Sequence, residues 1–371
     1  MIFQELRRVL LSKYVLFSIV FILLLSTGLN GAFIEKANNT DQILKGEAQA
    51  SGEITEDKLL DALIKVRDKG STNPGDQYLV TLISGLVYNY PGILYTEHNL
   101  EKYPDEYGSS FYQCWRNKSL EIISRLPEED HKPALNKLEE VKTPFHLYKG
   151  YYYWNTLLDN LKTIFMIIIF LACYLASSIY SDSIENGSME IIKSTKYGKR
   201  ALGLRLLPVA LYGIILILVA VLQGVIHTGA ITGYEALSSS FKGLSLFSLG
   251  NFTIGQALMI MCGAEILGIL ATTTIMGFIS FITGKTGLTT AIGIGINIFY
   301  IIISFFIGVP FKFIQLIINA LPMASSQVIG TMTGYQFDFG LWRPYEIIVS
   351  MVVVTVISAG MLLSAIRDSE K

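Results

Sequence analysis

Cysteine is nearly absent: Cys114, Cys173 and Cys262 are the three in 371 residues. They are too scattered to form a disulfide framework, and only Cys114 falls in the long polar segment after the first apolar run. Histidine is as scarce. His98, His131, His146 and His227 make no HExxH or HxxxH pair, so nothing in the sequence supports a metal centre. Charged residues amount to only 16%, against 51% hydrophobic ones. Soluble domains carry about 25% charged residues, so an ordinary water-soluble globule is excluded. A phosphate-binding loop is missing too. Gly284-Lys285-Thr286-Gly287 has the GK[ST] ending, but the glycine needed five positions earlier is Ile279. The tetrapeptide also sits in a short turn between two apolar runs, with no room for a nucleotide-binding strand and helix. No catalytic constellation remains, and the chain is expected to be neither an enzyme nor a cofactor carrier.

What is abundant is long apolar sequence. A bilayer core of about 30 Å needs about 20 apolar helical residues. Six stretches qualify: 14–34, 162–181, 206–226, 256–282, 287–309 and 345–366. Each must be helical, because an open strand leaves its backbone unpaired in lipid. The expected fold class is therefore an all-α polytopic membrane protein with six transmembrane helices. Lys and Arg near the span ends set the orientation. With the N-terminus inside, Arg7, Arg8, Lys13, Lys193, Lys196, Lys199, Arg200, Arg205, Lys285, Arg367 and Lys371 are cytoplasmic, and the short outer loops keep Lys242, Lys312 and Arg343. Both termini are then cytoplasmic and residues 35–161 extracytoplasmic.

The first span follows MIFQELRRVLLSK, a charge order shared with secretory signals. Its apolar run is longer than a signal core, and Leu29-Asn30-Gly31-Ala32 is a poor cleavage site, so an uncleaved anchor is expected. Residues 1–13 put Ile2, Phe3, Leu6, Val9 and Leu10 on one helical face, the pattern of an interfacial amphipathic helix.

Residues 35–161 hold 20 acidic and 14 basic side chains, whereas the rest of the chain holds 10 and 15. This acidic segment is long enough for a small domain and reads as mainly helical. Thr55 caps a helix with Leu59, Leu60, Leu63, Ile64 and Val66 at helical spacing, and Gly70 stops it. Segments 110–125 and 131–141 read the same way, and Asn73-Pro74-Gly75 and Tyr90-Pro91-Gly92 read as turns. Tyr148, Tyr151, Tyr152, Tyr153 and Trp154 fall just ahead of the second span, where an aromatic belt is expected.

Polar residues inside the spans are the candidates for function, since a charge at the centre of a bilayer costs at least about 2.5 kcal/mol. Glu265 stands out, between the small residues Gly263, Ala264 and Gly268. It reads equally as hydrogen-bonded glue or as the lining of a translocation path. Asn297 and Gln223 are weaker candidates, and Asn297 reads as an interhelical hydrogen bond. Residues 310–344 are too long for a turn and too interrupted for a span. They either dip into the outer leaflet or form a surface helix and loop.

The polar strip 182–205 joins the second and third spans. Its Glu185-Asn186-Gly187-Ser188-Met189-Glu190-Ile191-Ile192-Lys193-Ser194-Thr195, followed by Lys199-Arg200, together with an N-terminal amphipathic helix, six spans and a large insertion after the first, resembles the ABC-2 type permeases of ABC transporters. Lys196 stands where that family's pattern has proline.

Rich Ile, Lys, Asn and Tyr usage, with an uncleaved anchor and no disulfide framework, fits a bacterial plasma membrane. The resemblance implies a permease subunit of an ATP-driven exporter. It would move a lipid, peptide, drug or ion outward. ATP would be bound by a separate ABC ATPase subunit, and a second permease chain, identical or paralogous, would complete the pathway. The loop 182–205 would supply the coupling helix. On that reading Glu185 and Glu190 are polar contacts to the ATPase, Ile191 and Ile192 are apolar anchors, and Gly187 and Arg200 belong to the same contact surface. Membrane lipids are the other expected partner for the basic residues, and nucleic acid is not expected. Two other classes fit the same layout: a membrane sensor or scaffold with an extracytoplasmic ligand-binding domain, and an ion-coupled transporter using Glu265. No internal duplication of the kind common in secondary transporters is evident.

Overall fold

Among the residues that the computed structural model describes, six helices are long and apolar enough to cross a membrane. The described residues are 6–7, 9–35, 40–88, 103–195, 198–243, 245–307, 311–338 and 340–368. Most of the apolar face expected over 1–13, the Tyr90-Pro91-Gly92 turn, His98, Lys196 and the side chain of Lys199 lie outside the described residues.

In chain order, α1 (Lys13–Glu35) leads to an inserted domain of α2 (Thr40–Ala50), β1 (Gly52–Glu53), α3 (Glu56–Lys69), α4 (Pro74–Tyr88), α5 (Glu106–Ser109), α6 (Phe111–Ser124), α7 (Glu128–Glu139) and β2 (His146–Leu147). The second long helix is α8 (Tyr151–Ser177). Three short helices follow it: α9 (Ser181–Glu185), α10 (Ser188–Lys193) and α11 (Gly198–Leu204). Then come α12 (Leu206–Thr232), α13 (Ile254–Thr283), α14 (Thr286–Ile302), α15 (Lys312–Asn319), α16 (Val328–Thr331), β3 (Phe337–Asp338), β4 (Leu341–Trp342) and α17 (Arg343–Asp368). The fold is thus that of a predominantly helical, multi-pass membrane protein, consistent with the expected all-α class. Among the described residues two short antiparallel pairings, β1 with β2 and β3 with β4, pin loops that the helical pattern did not reveal.

The bundle is organised around α13, which packs against α8, α12, α17 and the short helical turn Pro322–Gln327. Its ends are set by local chemistry. Thr253 and Gln256 form a reciprocal capping box at the start, and Gly284 ends the helix in the left-handed conformation. Small residues give close contact. A Cβ on Gly268 would lie 2.0 Å from Ser325 Oγ, and one on Gly213 2.5 Å from Ile269.

The second span begins earlier than its apolar run suggests. Glu47 in α2 accepts the backbone N–H groups of Gly150 (2.6 Å) and Tyr152 (3.1 Å), satisfying donors that a helix start leaves orphaned. The helix therefore opens at Tyr151, and the aromatic cluster lies mostly within its first turns. Tyr153 and Trp154 are buried, and Trp154 donates to the Gly233 carbonyl at 3.1 Å. Of the five expected belt residues, Tyr152 is exposed, Tyr148 and Tyr151 are half-buried, and Tyr153 and Trp154 are buried in the protein.

In the inserted domain, Thr55 caps α3 and Gly70 closes it at positive φ. The acidic run 128–130 forms the first turn of α7 rather than a break before it, because carboxylates favour a helix N-terminus. Asn73 and Pro74 likewise begin α4, with Asn73 Oδ1 accepting the Gly75 N–H at 2.8 Å. Phe111, Trp115 and Phe145 anchor the domain core, and Trp115 meets Phe145 edge to face.

The segment expected to dip or to lie on the surface is a bent helical pair. Lys312–Asn319 and Pro322–Met332 meet at 95°, the geometry of a broken span or a re-entrant loop.

Candidate functional site

The strip 182–205 is a run of short helices. It folds as α9, α10 and α11, hinged at Gly187, whose φ of 74° lies in the left-handed region that glycine occupies without steric cost. Hydroxyl groups key the strip into the bundle. Ser280 Oγ accepts the N–H groups of Tyr180 (3.2 Å) and Ser181 (2.9 Å) and donates to the Ser177 carbonyl (2.8 Å). Ser181 and Thr286 share a hydroxyl hydrogen bond of 2.8 Å. Arg205, nearly buried, donates to Ser183 Oγ at 2.7 Å and to the Ile179 carbonyl at 3.3 Å. Tyr180 donates to the Leu202 carbonyl at 2.7 Å. A small apolar cluster of Tyr180, Met189, Leu202, Leu362 and Ile366 lies beneath, with Ile192 against it.

The six loop residues singled out in the sequence therefore divide. Glu185 is turned to its own chain, where its carboxylate accepts the Thr286 N–H (3.1 Å) and hydroxyl (3.0 Å). Ile192 packs inward and Gly187 is the hinge. Glu190, Ile191 and Arg200 face outward. Ile191 is 70% exposed, and Glu190 makes only a loose pair with Lys193 at 3.6 Å. The buried anchor of α10 is Met189, which sequence reasoning passed over.

A second polar region lies inside the bundle. Glu265 is 0% exposed, its Oε2 bonded to Ser325 Oγ at 2.9 Å and its Oε1 without a hydrogen-bond partner. The carboxyl group thus joins α13 to the turn of the bent pair. Gln223 is half of a larger network: its Oε1 accepts from Ser26 and from Asn30 (3.1 Å), and Asn160 donates to Asn30 Oδ1 at 3.0 Å. Three helices, α1, α8 and α12, are tied by these amides. Asn297 instead borders a cavity of about 20 Å³ shared with Cys173, Thr272 and Pro322. Glu265, the Gln223 network and Asn297 are separate features. No hydrogen bond joins them among the described residues, and no cluster of three metal-ligating side chains occurs there either.

Outside the spans two buried charges stand out. Burial pushes the Glu47 carboxyl up to about 7, opposed by the Gly150 and Tyr152 N–H groups. Burial brings Lys242 down to about 7. Its ammonium, without a hydrogen-bond partner, lies 5.3 Å from the centre of the Trp115 ring.

The fold and its span set define a helical multi-pass membrane protein. No protein-family model, curated protein or solved structure matches the chain.

Proposed function

We propose that the chain is the permease subunit of an ABC exporter, working with a separate ATP-hydrolysing subunit and a second permease chain. The observation that carries this reading is the strip 182–205. It exposes an apolar and acidic tip, Ile191 and Glu190, while its root is fixed to α8, α13 and α14 by Ser280, Thr286 and Arg205. A partner that grips the tip would move the spans rather than merely bend a loop. In this arrangement both termini and the strip are cytoplasmic, the inserted domain is extracytoplasmic, and the membrane is a bacterial plasma membrane.

The test is to purify the chain from its native membrane in mild detergent and assay for ATP hydrolysis. An ATPase subunit recovered in equal amount, and lost when 182–200 is replaced by a neutral linker, is the expected result. Recovery of the chain alone, without ATPase activity, would overturn the proposal. Orientation is checked with an impermeant maleimide on intact cells, using Ser124→Cys in a Cys114→Ser background. Ser124 is exposed, and its labelling is expected.

The unpartnered Glu265 Oε1 favours ion-coupled transport as the second reading. Transport in vesicles that follows an imposed proton gradient and needs no ATP would replace the first reading with this one.

A further inference from the structure

Where α7, α15 and the chain entering α17 meet there is a crevice of about 190 Å³, lined by Asp130, Lys312, Gln315, Tyr335, Asp338 and Arg343 among others. Pockets for drug-sized ligands run to about 300–1,000 Å³, so this one suits a smaller polar group. Two cations, Lys312 and Arg343, face two carboxylates, Asp130 and Asp338, and the lining is close to neutral. Lys312 donates to Glu129 and to Asp130 (2.9 Å), while Arg343 engages Asp338 (2.8 Å) and Gln336 (2.5 Å). An ammonium has three N–H donors and a guanidinium five, so both cations retain donor capacity.

The carboxylates are unevenly satisfied. Asp130 is only 3% exposed, yet its Oδ1 has no hydrogen-bond partner. Leaving such a buried group unmet is costly, so a site with spare donors on its cations and a spare acceptor on a buried carboxylate matches a ligand carrying both charges.

The surroundings say where that ligand comes from. The same helix that supplies Lys312 and Gln315 to the crevice exposes Phe313, Ile314 and Ile317 on its other side. Arg343 is the first residue of the last span, so the crevice opens at the end of the apolar bundle. A polar, charge-balanced pocket beside an exposed apolar ridge is complementary to an amphiphile.

We infer that this crevice binds the headgroup of a zwitterionic aminophospholipid, with its ammonium at Asp130, its phosphate at Lys312 and Arg343, and its acyl chains along Phe313, Ile314 and Ile317. The inference stands apart from the transport reading, since a bound lipid of this kind serves an exporter, a scaffold or an ion-coupled carrier alike.

The test is native mass spectrometry of the full, delipidated chain titrated with lipids of equal acyl composition. The ethanolamine headgroup is expected to bind about tenfold more tightly than glycerol or choline headgroups, the size expected for one charge-assisted hydrogen bond. Choline carries the positive charge but no N–H to give Asp130. Asp130→Asn should abolish the preference. Equal binding of ethanolamine and choline lipids by the unaltered chain would overturn the inference without any variant. So would an undiminished preference in folded Asp130→Asn, or competition by acyl-free glycerophosphoethanolamine as strong as by the lipid.

Discussion

Glu185 holds Thr286 from across the loop, accepting both its backbone N–H and its hydroxyl. The carboxylate thereby caps α14 from outside that helix, making α9 and the turn between α13 and α14 one mechanical piece. Under the transport reading, this contact is the route by which movement of the strip reaches the spans.

Glu185→Ala is therefore expected to cost about 0.5–2 kcal/mol, the range for a lost helix cap, and to lower transported substrate per ATP hydrolysed. Glu185→Gln, which keeps an acceptor oxygen, should recover most of both. The readings are a thermal melt in detergent and the ratio of transport to hydrolysis. A lowered melting temperature with an unchanged ratio would leave Glu185 as a cap and nothing more.

The opposite behaviour is expected at the tip. Glu190→Arg and Ile191→Arg change exposed side chains and should leave stability within about 0.5 kcal/mol, while the ATPase subunit no longer co-purifies. Met189→Arg is the control for folding. It places a charge in the buried cluster with Tyr180 and Leu202, and should lower the melting temperature strongly. Full recovery of the ATPase with Ile191→Arg would remove this surface from the proposed contact.

The six spans were legible because hydropathy integrates over about 20 residues, and helix ends such as Thr55 and Gly70 were legible because caps have a residue signature. The interior connections were not. Ser177, Ser280, Ser325 and Thr286 are small hydroxyl residues that hydropathy averages away, and their partners lie far along the chain. Asn30 and Asn160 were hidden the same way, so Gln223 was visible but its network was not. Glu185 was singled out for its charge, yet no local pattern says that its partner is Thr286. Glu47 lay unnoticed in a soluble-looking helix although it starts the second span.

Glu265 is expected to tolerate Gln. Ser325 Oγ lies within hydrogen-bond distance of both Glu265 Oε2 (2.9 Å) and the Pro322 carbonyl (2.8 Å), and its single hydrogen serves one of them. A Gln amide supplies a donor of its own, so the hydroxyl is left to Pro322 and the join between α13 and the bent pair survives. Ser325→Ala strands the side chain at 265 and should cost about 1–3 kcal/mol. Transport lost in a well-folded Glu265→Gln protein would favour the ion-coupled reading.

Lys242 and Glu47 give the chain a pH profile with two opposed limbs. Glu47 has its carboxyl raised from an ordinary 4.5 to about 7, so its neutral form is favoured in the fold. The stability it contributes is fully present below 4.5 and is lost as pH rises through 7. Lys242 is lowered from 10.5 to about 7, and the neutral amine is favoured. Its contribution is present above 10.5 and is lost as pH falls through 7. Stability should therefore pass through a shallow minimum near neutral pH, read as melting temperature against pH in detergent. Glu47→Gln should flatten the acid limb. Lys242→Met keeps the apolar stem against Trp115, removes a buried ammonium without a hydrogen bond, and should raise stability at pH 7 by about 1–3 kcal/mol while flattening the alkaline limb. An alkaline limb unchanged in Lys242→Met would show that the ammonium reaches water, contrary to its 2% exposure.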